Sequence, residues 1–90
     1  MEQYIRDMMK ERTGLIYYDS FQQAKTAFED AIKICLKWEI KIKANHMNLV
    51  ITFPNGNKLI FGHGEYEKYL GNNGFLFVVN KPELEFMVRL

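Results

Sequence analysis

A turn signal near the middle of the chain constrains the fold more than any other feature. The segment Asn48–Phe61 reads NLVITFPNGNKLIF, in which two strand-like runs flank the four residues Pro54–Asn57. Asparagine and glycine tolerate the left-handed backbone that tight hairpins need, and proline presets a turn angle. The segment therefore predicts a β-hairpin at the centre of the chain.

Two segments carry helical periodicity. Ser20–Trp38 places apolar side chains three and four residues apart along one face, and Ser20 with Gln23 matches a capping box at its start. Glu2–Arg12 shows the same spacing over a shorter length, and Gly14 follows as a signal for the end of a helix. The sequence predicts a short amino-terminal helix and one long helix that lies across a sheet.

Alternating apolar runs predict several strands. Leu15–Tyr18 is a short strand candidate, while Glu39–Ala44 and His46–Phe53 alternate, with Met47 and Leu49 expected on one face. The segment Glu65 to Leu70 favours one helical turn or a short helix between glycine-rich loops.

The segment Phe75–Val79, FLFVV, is a continuous apolar run typical of an interior strand covered on both faces. For Leu84–Leu90, an edge strand and a short helix both stay open. We therefore expect residues 1–90 to form a single α+β domain. Its small, mostly antiparallel sheet of four or five strands would include the central hairpin and pack against the long helix, with Phe75–Val79 as the most interior strand.

Composition excludes several classes of protein. The net charge is +1, from 12 basic and 11 acidic residues, which argues against a dedicated polyanion binder and against an acidic mimic of DNA. Cys35 is the single cysteine, so the fold needs no internal disulfide. The charged amino-terminal segment and the lack of a long apolar run predict a cytoplasmic protein without membrane contact.

No motif for catalysis or metal binding stands out. His46 and His63 flank the hairpin, but zinc usually takes three or four protein ligands, and Cys35 is expected on the buried face of the long helix. The glycine-rich segments 62–64 and 71–74 do not match the phosphate-binding P-loop. We expect neither enzymatic activity nor a cofactor.

Two surfaces are candidates for binding a partner. Aromatic side chains that we expect to be exposed, together with the loops after the hairpin, would contact a protein. They are Tyr17, Tyr18, His63, Tyr66, Tyr69 and Asn72. A strip of lysines on one sheet face and the helix end would contact nucleic-acid phosphates. These are Lys37, Lys41, Lys43 and Lys58.

The order of these elements and several short phrases are similar to one family. Phe21–Lys25 (FQQAK) opens the long helix, Ile51–Gly62 forms a hairpin with a Phe-Pro-Asn-Gly turn, and Tyr66–Gly71 is a short acidic segment before the apolar run Phe75–Val79. The chain thereby resembles the middle of the ATPase domain of phage terminase large subunits. In that resemblance, the apolar run corresponds to the Walker B strand.

The chain departs from that family at the positions needed for ATP hydrolysis. A Walker B strand ends in Asp-Glu, whereas Asn80 and Lys81 stand here, and the chain contains no Walker A motif. The resemblance therefore implies a phage-encoded protein without ATPase activity. We expect a small protein-binding module that inhibits or regulates a larger host or defence complex in the host cytoplasm. The alternatives are a nucleic-acid-binding module that uses the lysine strip, and a protein that self-associates through an edge strand, for example as a homodimer.

Overall fold

The elements follow one another at short intervals along the chain. The computed structural model describes residues 1–10, 12–69 and 75–80. The elements are α1 (Glu2–Lys10), β1 (Thr13–Tyr17), α2 (Phe21–Lys37), β2 (Lys43–Asn45), β3 (Val50–Thr52), β4 (Lys58–Gly62), a 3₁₀ helix (Tyr66–Tyr69) and β5 (Phe75–Val79). Within this part of the chain, the strands form one sheet in the order β2-β3-β4-β1-β5. The α+β class and the two helices are confirmed.

The sheet is mixed, which corrects the expectation of a mostly antiparallel one. β1 pairs in parallel with both β4 and β5, whereas β3 pairs antiparallel with β2 and β4. The connection through α2 and the hairpin is long enough to return the chain beside β1 in the same direction. β5 lies at one end of the strand order, so among the described residues β4, β1 and β3 are the inner strands and the apolar run is not the most interior one.

The predicted hairpin joins β3 to β4, and its turn is held by hydrogen bonds on both sides. The Phe53 backbone N–H donates to the Asn57 carbonyl at 2.8 Å, and Gly56, at φ 88°, donates to the Phe53 carbonyl at 2.9 Å. The side-chain amides of Asn55 and Asn57 both donate to the Met8 carbonyl, at 2.9 and 2.8 Å. The turn therefore also satisfies a carbonyl near the end of α1, where helix carbonyls have no partner within the helix.

Both ends of α2 carry specific caps. At its start, the Ser20 hydroxyl accepts from the Gln23 N–H at 3.2 Å, while the Gln23 side chain accepts from the Asp19 N–H at 3.2 Å. This is close to the predicted capping box, with the reciprocal bond moved back by one residue. The helix runs from Phe21 to Lys37, as the periodicity predicts to within one residue at each end.

The end of α2 corrects the strand predicted over Glu39–Ala44. Glu39 has φ 57° and its N–H donates to the Leu36 carbonyl, while Ile40 donates to the Cys35 carbonyl at 2.9 Å. This pair of bonds is a Schellman motif, which reverses the chain direction after the helix. The first residues of the predicted strand are used in that reversal, so β2 covers only Lys43–Asn45.

The segment between β2 and β3 corrects a second strand, predicted over His46–Phe53. The Asn45 side-chain oxygen accepts from the backbone N–H groups of Met47 and Asn48, each at 3.0 Å, and Leu49 has φ 54°. These bonds form a turn through residues 46–49, so the strand begins at Val50. Met47 consequently leaves the predicted face and is 87% exposed, whereas Leu49 is buried.

The sheet separates two apolar clusters of unequal size. The larger lies between the sheet and the helices α1 and α2, and the smaller lies on the opposite face, under the 3₁₀ helix. The larger cluster contains Ile5, Met8, Ile16, Ala24, Phe28, Ala31, Cys35, Leu49, Ile51, Phe53, Leu59 and Phe61. The smaller contains Leu15, Tyr17, Tyr69 and Val78. Among the described residues, α1 and α2 cover one face of the sheet, which we call the helix face, and the 3₁₀ helix covers part of the other, which we call the open face.

Two further predictions concern segments after the hairpin. The short helix predicted over Glu65 to Leu70 is confirmed as the 3₁₀ helix. Leu84–Leu90 lies outside the described residues. None of the described helices has the length and apolar character needed to cross a bilayer.

Candidate functional site

A groove forms where two adjacent parallel strands end. β1 continues through residues 18–20 into α2, which packs on the helix face, whereas β4 continues into the 3₁₀ helix, whose Tyr69 packs on the open face. When the connections from neighbouring parallel strands leave toward opposite faces, a crevice opens outside the carboxyl ends of the strands. The topology thus places a recess at this edge.

The groove has a volume of about 400 Å³. It is bounded by the start of α2, the turn before β3, the end of β4 and the 3₁₀ helix. Its lining residues are Phe21, Met47, Asn48, Val50, Ile60, His63, Lys68 and Tyr69. The lining combines apolar walls with a few polar groups, which is the usual composition of a binding recess.

Tyr69 fixes the loop that forms one wall of the groove. Its phenolic oxygen accepts a hydrogen bond from the His63 backbone N–H at 3.0 Å and lies 3.5 Å from the His63 carbonyl, to which it donates. Its ring packs edge-on against Tyr17, with centroids 6.3 Å apart and planes at 90°. A buried tyrosine hydroxyl normally needs such a partner, so Tyr69 is structural in this loop while its ring lines the groove.

Two large apolar side chains at the groove are exposed to solvent. Phe21 is 48% exposed although it begins α2, and Met47 is 87% exposed at the turn before β3. The Phe21 ring stands edge-on to the His63 ring, with centroids 5.1 Å apart. Exposed apolar groups that border one recess are typical of interaction surfaces, and methionine adapts readily to different partners.

The permanent charge in the groove lining is positive. Lys68 places its ammonium nitrogen 5.3 Å from the centre of the Tyr69 ring. Desolvation by burial, followed by repulsion from Lys68, lowers the pKa of His63, which favours the neutral form of its imidazole. No carboxylate stands among the described lining residues. The groove therefore favours an anionic group beside an apolar one.

The structure divides the predicted aromatic surface between buried and accessible positions. Tyr17 and Tyr69 are buried, which corrects the expectation that both are exposed. Tyr17 lies in β1, where its side chain packs beneath Tyr69 on the open face. Two predicted contacts lie outside the described part of the structure: the side chain of Tyr66 and the whole of Asn72.

Tyr18 takes an intermediate position. It is half-buried and stacks on Phe61, with ring centroids 6.3 Å apart and planes at 17°. Burial, and to a smaller extent Tyr4, raises the pKa of its phenol. Tyr17 and Tyr18 border a second cavity of about 410 Å³ with Asp19, Gln23 and Asn80, at the ends of β1 and β5 rather than in the groove.

The four predicted lysines are exposed but do not form one strip. Lys43 pairs with Thr52, which pairs with Lys58, so these three residues form a row across β2, β3 and β4 on the open face. Lys37 belongs to α2 on the helix face, and Lys41 lies in the segment before β2. The sheet therefore separates Lys37 from the row.

The two histidines contact different rings of α2. His46 lies edge-on to Phe28 with centroids 5.2 Å apart, whereas His63 contacts Phe21. Phe21 and Phe28 are two helical turns apart, roughly 10 Å. No group of three or more metal-binding side chains occurs among the residues that the structure describes.

Sequence reasoning missed Phe21, Met47 and Lys68 as groove residues. Helical periodicity assigned Phe21 to the buried face, but the first helical residue has no preceding turn to cover it. Asn45 carried a usable signal for Met47, because asparagine side chains often bond backbone N–H groups two residues ahead and so form turns. Lys68 had no signal, since only the 3₁₀ helix and the strand order place it beside the groove.

Comparisons of the chain with protein-family models, with curated proteins and with solved structures found no match.

Proposed function

We propose that this chain is a non-enzymatic protein-binding module and that the groove is its binding surface. The observation that carries the proposal is the pair of exposed apolar side chains, Phe21 and Met47, at the border of one recess of about 400 Å³. Burial of the Met47 side chain, which is 87% exposed, would contribute about 1.5–3 kcal/mol, and burial of the half-exposed Phe21 ring would contribute less. The resemblance to a phage terminase adds that the module is phage-encoded and inhibits or regulates a larger host or defence complex.

Affinity purification from bacterial lysate, with and without nuclease, tests this function. We expect the tagged chain to recover one stoichiometric protein that survives nuclease treatment. Met47→Ser should reduce recovery about tenfold or more, since it removes an anchor that is almost fully exposed and so has little part in folding. Phe21→Ser should act in the same direction.

Leu36 offers a matched control. It is also an exposed apolar residue, at 65%, but it lies near the other end of α2, roughly 22 Å from Phe21 along the helix axis. Leu36→Ser should leave recovery unchanged. Equal recovery by Met47→Ser and the wild type, or loss caused by Leu36→Ser alone, would refute the groove as the binding surface.

Nucleic-acid binding is the second candidate, and the row formed by Lys43, Thr52 and Lys58 favours it. The two lysines stand roughly 10 Å apart across two strand spacings. Two phosphate contacts predict a slope of about −2 for the logarithm of affinity against the logarithm of salt concentration. If neither the wild type nor Lys43→Met changes the gel mobility of labelled DNA or RNA at low salt, nucleic-acid binding is refuted.

The third candidate, self-association through an edge strand, receives less support. β2 and β5 are the two edge strands of the sheet that the described residues form, and β2 has only three residues and carries Lys43. Short length and lysine side chains are features that protect sheet edges from pairing with another chain. An apparent molecular mass of the protein in solution that rises with protein concentration would support self-association.

A further inference from the structure

The groove continues into the open face of the sheet. Val50 and Ile60, which line the groove, are cross-strand neighbours, and the pair Thr52 and Lys58 follows two residues along the same two strands. Two residues of a strand span roughly 7 Å. Val50, Thr52 and Ile60 are only half-buried, so an extended segment that enters the groove can continue over this face.

Positive charge stands at both ends of that path. Lys68 lies at the groove, and Lys43 and Lys58 lie on the row beyond it, with the side chains of Val50 and Ile60 between them. The two row lysines are exposed to solvent, and the described lining of the groove contains Lys68 and no carboxylate, since the neighbouring Glu67 is not part of that lining. A ligand complementary to this path therefore carries an apolar group and several negative charges.

We infer that the groove binds an acidic peptide segment of its partner protein, with one apolar side chain in the groove and carboxylates beside Lys68 and along the row of Lys43 and Lys58. The inference rests on the proposed protein-binding role of the groove and adds the chemistry of the partner. The apolar anchor would lie between Met47 and Phe21. Charge-assisted contacts to lysines are individually modest at an exposed surface, so several carboxylates are needed for selectivity.

Titration of the isotopically labelled full chain with two matched peptides, followed by NMR, tests the inference. The first peptide is acetyl-Gly-Leu-Glu-Glu-Glu-Gly-amide, and the second replaces each Glu with Gln. At low salt we expect the Glu peptide to bind about tenfold more tightly and to shift the amide signals of Met47, Val50, Ile60 and His63. Lys68→Met should weaken the Glu peptide about threefold or more and leave the Gln peptide unchanged.

Lys33→Met is the charge-matched control. Lys33 is exposed on α2, roughly 18 Å along the helix from Phe21. This variant should bind both peptides as the wild type does. Equal effects of Lys68→Met and Lys33→Met would overturn the inference, because a general loss of positive charge would then explain the result.

The remaining outcomes separate this inference from the proposed function. Equal affinity for the Glu and Gln peptides, with both lost in Met47→Ser, overturns the acidic preference and leaves a protein-binding groove. Absence of shifts with either peptide at millimolar concentration overturns the inference, while partner capture decides the proposed function independently. Tighter binding of a short DNA single strand, abolished by Lys43→Met and Lys58→Met together, would also overturn it.

Discussion

At the scale of single residues, Gly62 decides how closely the 3₁₀ helix approaches the sheet. A Cβ atom at this position would lie 3.0 Å from Leu15 Cδ1, and 3.2 Å from both Tyr17 Cδ2 and Tyr69 Cε2. Gly62 ends β4 and pairs with Tyr17 in β1. The absence of a side chain therefore lets the Tyr69 ring cover the end of both strands and form a wall of the groove.

Gly62→Ala should destabilise the protein by about 1–3 kcal/mol, because three packed side chains must shift to admit the methyl group. Guanidinium unfolding followed by the fluorescence of Trp38 measures the loss. Gly56→Ala provides a contrast, since nothing lies within 4 Å there and the cost comes from its positive φ alone. Only Gly62→Ala should move the NMR signals of the Tyr17 and Tyr69 rings, and unchanged ring signals would contradict this packing.

A second residue-scale prediction concerns the chemistry of Cys35. Its side chain is fully buried in α2, and desolvation raises its pKa to about 11. The thiolate is the reactive form of cysteine, and the raised pKa leaves little of it at pH 8. The folded protein should resist Ellman's reagent at pH 8 and react promptly in guanidinium. Rapid modification without denaturant would show that the thiol is accessible.

The raised pKa of Cys35 has a consequence for stability at alkaline pH. The unfolded chain loses the thiol proton near pH 9.0, the ordinary pKa of the group, whereas the folded chain retains it to about pH 11. The stabilising contribution is therefore complete below pH 9 and decreases as the pH rises toward 11.

At the scale of elements, the caps of α2 set its length and direct the chain at both ends. Ser20 begins the helix and the Schellman motif around Glu39 ends it. Glu39 occupies the left-handed position, at φ 57°, where glycine is the favoured residue. The chain therefore leaves α2 through a residue with a strained backbone, and replacing Glu39 by glycine can remove that strain.

Glu39→Gly should stabilise the protein by about 0.5–1 kcal/mol, since an L-residue in this conformation costs about 1–2 kcal/mol and glycine recovers part of that in exchange for greater freedom when unfolded. Thermal and guanidinium unfolding measure the change. Glu39→Ala is the control, because it removes the same charge and keeps the strained backbone. Equal stability of the Gly and Ala variants would refute the backbone explanation.

At the scale of the whole molecule, α2 holds the sheet together through Phe28. This residue is fully buried, contacts the Phe61 ring edge-on at 5.7 Å, and contacts His46 at 5.2 Å. Phe28 therefore packs α2 against both β4 and the turn before β3. A domain of this size has a total stability of only about 5–15 kcal/mol, so one such residue carries a large share.

Phe28→Ala should cost about 3–5 kcal/mol, the usual loss for a fully buried phenylalanine. Phe21→Ala should lower the free energy of unfolding by about 1 kcal/mol or less, because the Phe21 ring, at the start of the same helix, is half exposed. Paired guanidinium unfolding curves measure both. Similar losses at the two positions would mean that Phe21 is part of the core and would weaken its assignment as a free anchor.

Local interactions allowed the sequence by itself to determine the hairpin, the two helices and the N-cap of α2. The turn residues Asn55 and Gly56 and the N-cap Ser20 act within four residues of themselves, so their effect is visible without the rest of the fold. Where a second local signal competed, as Asn45 did with the alternation around Met47, the strand prediction was wrong. The hydrogen bonds of that turn outweighed the tendency to continue a strand.

Tertiary structure alone decided the order of the strands, the parallel pairing of β1 with β4 and β5, and the groove. These features join residues far apart in sequence, such as Leu15 with Ile60 and Val78. A strand carries no local record of its neighbours, because its pairing depends on which arrangement of the whole chain buries the most apolar surface. The groove exists only because that arrangement sends α2 and the 3₁₀ helix to opposite faces.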